Sequence, residues 1–136
     1  IARAISDGND ILTISWAGAE SSYLESTLSA ATAAKTAVCV ASGDRGSTLP
    51  GGLGVECCYP SSSPQVISIG GTKLVLGPGN TRASETDDNR DVAFGSTWGG
   101  GGGVSRFFSL PAWQHGLHYT PITNNVLPIC AQCIYT

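Results

Sequence analysis

A chain of 136 residues has the length of about one domain, and with 41% hydrophobic side chains it can bury a core of its own. Only 7 lysines and arginines stand against 10 acidic residues, a formal charge of -3, which excludes the clustered basic surface of a nucleic-acid binder. No apolar run reaches the roughly 20 residues of a transmembrane helix, so neither nucleic acid nor a membrane is expected as a partner.

The elements follow in chain order. "IARAISDGNDILTISW" reads as the end of a helix, a turn at Asp7-Gly8 and then a strand, as though the chain began in mid-domain, and it carries no signal peptide. Asp10 to Trp16 is a short apolar run rich in β-branched residues, which predicts a buried strand of a parallel sheet. Ser22 and Glu25 have the spacing of a capping box, and Leu24, Leu28 and Ala31 recur at helical intervals toward Lys35, predicting a helix of about four turns. Ala37 to Ser42 is a second buried strand and completes a strand-helix-strand unit. Val66 to Ile69 predicts a third strand. Lys73 to Leu76, "GPGN" and Thr81 to Ser84 predict a hairpin, and residues 85–98 a polar loop.

Five cysteines, Cys39, Cys57, Cys58, Cys130 and Cys133, leave one over from any full pairing, so no closed disulfide framework is read. The composition has few carboxylates, hence little charge change on acidification, which suits a protein that works in acid. Five consecutive glycines, Gly99 to Gly103, weaken any regular element and imply close approach of something else to bare backbone. No Lys-Ser or Lys-Thr follows them, so a phosphate-cradling loop is not read. Pro60 to Pro64 and Gly70-Gly71-Thr72 read as structural turns.

In an open α/β sheet a site lies beyond the carboxyl ends of the strands. Ser15-Trp16-Ala17-Gly18 follows the first strand and Ser42-Gly43-Asp44 the second. Taken alone, Asp44 caps a turn and Trp16 is a core aromatic at a strand end. In order, "ISWAGAE", "ASGDRGS", "PSSSPQVISIGGTKL" and "GGGGGVSRFFSLPAWQ" resemble the sedolisin family of serine-carboxyl peptidases, which are subtilisin-like in fold. The resemblance implies an incomplete α/β domain, the central portion of a catalytic domain with a parallel sheet and flanking helices. It covers residues 1–114, with a divergent tail over 115–136.

By that resemblance Asp44 is the catalytic oxyanion residue, a carboxylic acid that donates a hydrogen bond while protonated. Ser15, Trp16, Ala17 and Gly18 would line the substrate cleft, their backbone pairing with an extended peptide. The family's nucleophile lies in a Gly-Thr-Ser motif, activated by a Glu and Asp pair upstream of the Trp16 counterpart. None of the three is identifiable here, and Ser96 and Ser105 read as loop serines. The family's calcium site lies beyond the serine, so no cofactor is expected in this chain. Partners implied are a peptide or protein substrate and the missing segments of the same domain, and the location implied is extracellular.

Three departures are specific to this sequence. Arg45 follows Asp44 where the family has Ser, and a guanidinium reaching the carboxyl would favour its ionised form. The connection from Trp16 to Asp44 is short, implying a trimmed helix or loop. In the tail, His115 and His118 with Cys130 and Cys133 offer ligand types suited to zinc, in an order inverted from the usual finger. Three function classes follow: a fragment of an acid-acting endopeptidase that does not turn over substrate alone, a non-catalytic peptide-binding relative, and a zinc-stabilised interaction module.

Overall fold

The computed structural model describes residues 1–46, 57–87, 99–103 and 105–115. Within them a three-stranded parallel sheet is followed by an antiparallel hairpin. Helix α1 (Ala2–Ser6) turns at Asp7 and Gly8 into β1 (Ile11–Ile14), with Gly8 at φ +76, a left-handed value that glycine tolerates. Helix α2 (Glu25–Ala33) then leads to β2 (Ala37–Ala41), and β3 (Ile67–Ile69) joins the far side of β2.

Registers are parallel throughout this sheet: Ile11 to Ile14 face Ala37 to Val40, and Cys39 to Ala41 face Ile67 to Ile69. The predicted hairpin forms from β4 (Thr72–Leu76) and β5 (Arg82–Asp87), joined through a turn at Pro78–Asn80 in which Gly79 and Asn80 have positive φ. β5 takes up the start of the segment read as a polar loop, whose remaining residues, 88–98, lie outside the described residues.

Two details of α2 differ from the expectation. It has 9 residues, or about two and a half turns at 3.6 residues per turn, rather than four. Lys35 adopts φ 62, Thr36 N–H donates to the Ala31 carbonyl and Lys35 N–H to that of Thr32, a paired C-terminal closure that ends the helix. The capping box does not form either. Glu25 is the first helical residue, and its carboxylate accepts from the Tyr59 hydroxyl at 3.0 Å and the Ser63 hydroxyl at 3.1 Å. The Tyr59 oxygen in turn accepts from Leu24 N–H at 3.0 Å, so a distant tyrosine supplies the cap acceptor.

The core lies between α2 and one face of the sheet: Leu28 and Ala31 pack on Ile14, Val38 and Val40, with Tyr59 and Val66 closing the cluster. Phe108 is partly buried against it, its ring stacked on Tyr59 at 6.3 Å. The opposite face is uncovered among the described residues. Ile11 is 64% exposed, Ile67 53% and Ile69 46%, so β1, predicted as a buried strand, is buried on one side only, and β3 shares its exposed face.

Candidate active site

Where β1 and β2 end, the chain opens into a cavity of about 190 Å³. Ser15, Trp16 and Ala17 form one wall, Ala41, Gly43, Asp44 and Arg45 another, and Cys58 a third. Its position beyond the carboxyl ends of parallel strands is the one that strand topology favours for a site. The walls are wet: Asp44, Arg45, Ser15 and Ala17 are exposed, and Trp16 keeps 49% of its surface accessible.

Gly18, grouped with Ser15 to Ala17 in the sequence, does not line the cavity. Its N–H donates to the Tyr59 carbonyl at 2.9 Å and its carbonyl accepts from Tyr59 N–H at 3.0 Å, an antiparallel bridge. That bridge ties the Ser15 to Gly18 segment to the Cys58-Tyr59 segment, so two walls of the cavity are joined by main chain. Tyr59 is buried to 1% exposure, and burial, reinforced by its bond to Glu25, pushes its phenol well above the ordinary value. The hydroxyl therefore stays a donor to Glu25 across the working range of pH.

The turn carrying Asp44 has a backbone that suits glycine. Gly43 sits at φ +117 and Gly46 at φ +59. At Gly43 a side chain would also meet Cys58 Sγ, 3.0 Å from where a Cβ would stand. The glycine run lies along this turn: Gly99 N–H donates to the Asp44 carbonyl at 2.9 Å and Gly101 N–H to the Gly43 carbonyl at 2.8 Å. Bare backbone is thus pressed against bare backbone beside the candidate oxyanion residue.

The serine-rich turn is structural, as read. Pro60 to Ser63 are fully buried, and Ser61 Oγ donates to the Cys58 carbonyl at 2.7 Å. Ser105 Oγ accepts from Phe107 and Phe108 N–H at 3.2 and 2.8 Å, the bonding of a local turn. Ser96, His118, Cys130 and Cys133 lie outside the described residues, and His115 is exposed. Among the described residues no three His, Cys, Asp or Glu side chains gather as metal ligands, and Cys39 is a free thiol.

Cys58 and Tyr59 were not singled out as site residues from the sequence. The only available signal was a pair of adjacent cysteines running into Tyr59-Pro60, which says nothing about a cavity. The clasp of glycines on the Asp44 turn was legible only as a demand for close approach.

No family model matches the chain. Individual proteins do. It is 38% identical over 122 residues to kumamolisin of Bacillus sp. (strain MN-32), an alignment covering 84% of this chain and 21% of that protein. It is 36% identical over 89 residues to sedolisin of Pseudomonas sp. (strain 101), covering 60% of this chain and 15% of that protein. Among solved structures, Pseudomonas sedolisin, a serine-carboxyl proteinase complexed with two molecules of pseudo-iodotyrostatin, superposes with a TM-score of 0.67 at 31% identity. That superposition covers 83% of this chain and 35% of the sedolisin chain. The chain thus spans about a fifth of the length of kumamolisin. With sequence and fold agreeing, the chain belongs to the sedolisin family, as a partial domain of its subtilisin-like α/β fold.

Proposed function

We propose that this chain supplies the oxyanion side of a sedolisin-type serine endopeptidase that hydrolyses peptide bonds in acid. The observation that carries the reading is the meeting of Asp44 with Ser15, Trp16 and Ala17 around one open cavity at the strand ends. A peptide laid along Ser15 to Ala17 brings its scissile carbonyl toward Asp44. In its protonated form the Asp44 carboxyl donates a hydrogen bond to the oxygen that becomes negative in the tetrahedral intermediate. A carboxyl donates only while it holds its proton, so a mechanism using it as a donor runs best in acid.

The nucleophilic serine and the Glu and Asp pair that activates it come from outside these 136 residues, since no Gly-Thr-Ser occurs in them. Turnover therefore belongs to the longer polypeptide, and the chain alone binds peptide without cleaving it. The family calcium site is likewise assigned to the other segments. We assign the protein to the extracellular space, where its relatives' class of peptidase acts. No helix among the described residues is long and apolar enough to cross a membrane.

The test is a peptidase assay on the longest natural polypeptide containing this chain, from pH 3 to pH 7. Asp44→Ala lowers kcat by about 10²- to 10³-fold, the cost of one oxyanion donor, with KM little changed. Asp44→Asn keeps a donor whose proton does not titrate, so its residual activity extends to higher pH. Wild-type kcat in Asp44→Ala would refute the role. Peptide binding with no turnover in that polypeptide would establish the non-catalytic relative instead.

A further inference from the structure

We propose that the glycine run is a main-chain clasp that sets the position of Asp44, and that Gly101 is the positioning residue on which the clasp depends. The proposal rests on the reading of Asp44 as the oxyanion donor. Residues 42–46 leave β2 as a turn with two left-handed glycines, Gly43 and Gly46, a conformation no regular element supports. Asp44 projects from that turn into solvent, so its direction follows from where the main chain holds it.

Four main-chain hydrogen bonds hold it. Gly101 N–H donates to the Gly43 carbonyl at 2.8 Å, Gly99 N–H to the Asp44 carbonyl at 2.9 Å and Gly102 N–H to the Gly46 carbonyl at 3.1 Å. In return Gly46 N–H donates to the Gly99 carbonyl at 3.2 Å, so Arg45 and Gly99 form a parallel bridge. Asp44 is bracketed on both sides, and the run serves the turn as a neighbouring strand would. Two chains can come this close only without side chains. A Cβ at Gly101 would overlap the carbonyl carbon and oxygen of Ser42 and lie 2.8 Å from Gly43 Cα. All three obstacles are backbone, which cannot swing aside as a side chain does, and ordinary contact needs about 3.5 to 4.0 Å. Any residue larger than glycine at this position lifts the run off the turn.

The experiment is hydrogen exchange at the amides of Gly46, Gly99, Gly101 and Gly102, with kcat and KM measured in the longest natural polypeptide. In the wild type these four amides exchange slowly. Gly101→Ala speeds their exchange by on the order of tenfold or more, the worth of a main-chain bond, while the β2 amides keep their protection. In the same variant kcat falls by about the 10²- to 10³-fold of Asp44→Ala, with KM nearly constant. Placed on an Asp44→Ala background, Gly101→Ala adds no further loss, because it acts through Asp44.

Fast exchange of these amides in the wild type would overturn the clasp without any variant. Losses that multiply in the double variant would overturn the positioning role, as would loss of β2 protection in Gly101→Ala, which would make the run a support of the whole sheet. A polypeptide without peptidase activity refutes the proposed function and not the clasp, which the exchange rates decide separately.

Discussion

Replacing Tyr59 by phenylalanine separates the polar role of this residue from its packing. The ring, its stack on Phe108 at 6.3 Å, its contact with Tyr23 at 5.4 Å and the main-chain bridge to Gly18 all remain. Two bonds are lost: the one accepted from Leu24 N–H and the one donated to Glu25 Oε1, each 3.0 Å. A neutral bond contributes about 1 kcal/mol net and one to a charged group about 1.5 to 3 kcal/mol. Glu25 keeps the Ser63 hydroxyl on its other oxygen, which softens the second loss. The expected destabilisation is about 2 to 3 kcal/mol, read from urea unfolding followed by circular dichroism.

The same substitution has a pH signature. Burial first, then the bond to Glu25, raises the Tyr59 phenol above its ordinary value of 10.0, so the folded state holds the proton more tightly than the unfolded chain. This stabilisation is complete below pH 10 and declines as the pH rises beyond it, by at most about 1.4 kcal/mol per pH unit. Tyr59→Phe lacks that decline, and the gap between the two proteins narrows in alkali. A loss below about 0.5 kcal/mol at pH 7, with the same alkaline slope in both proteins, would refute the reasoning.

Two further outcomes are expected. Arg45 shares the cavity wall with Asp44, and removing its positive charge by Arg45→Ser favours the protonated donor. Activity of the full polypeptide near the upper end of its acid range then rises, and an unchanged profile would count against the assignment. The uncovered sheet face of Ile11, Ile67 and Ile69 makes the isolated chain self-associate in sedimentation experiments, and serine at all three positions reduces that association. A monodisperse monomer of the unsubstituted chain would disprove it.

What was legible in the sequence was local. Short β-branched runs bounded by turn residues identified β1, β2 and β3, and the Gly77 to Asn80 turn identified the hairpin, because strand and turn preferences act over a few residues. The 3.6-residue spacing of Leu28 and Ala31 marked the buried side of α2 for the same reason. The motifs after β1 and β2 were readable as a site because parallel strands direct their carboxyl ends to one edge of a sheet.

Only the tertiary structure decided the rest. Ser22 and Glu25 have capping-box spacing, but Tyr59, 34 residues further on, offers Glu25 a stronger buried partner and takes over the cap. The end of α2 depends on a left-handed Lys35, which helical periodicity does not encode. A buried strand and a half-covered one have the same composition, so exposure of Ile67 depends on which elements pack above it. Cys58 becomes a wall of the cavity, and Gly101 a contact of Ser42, through chain segments far apart in sequence. The five glycines announced that two backbones would meet, and the fold alone named the partner: the turn that carries Asp44.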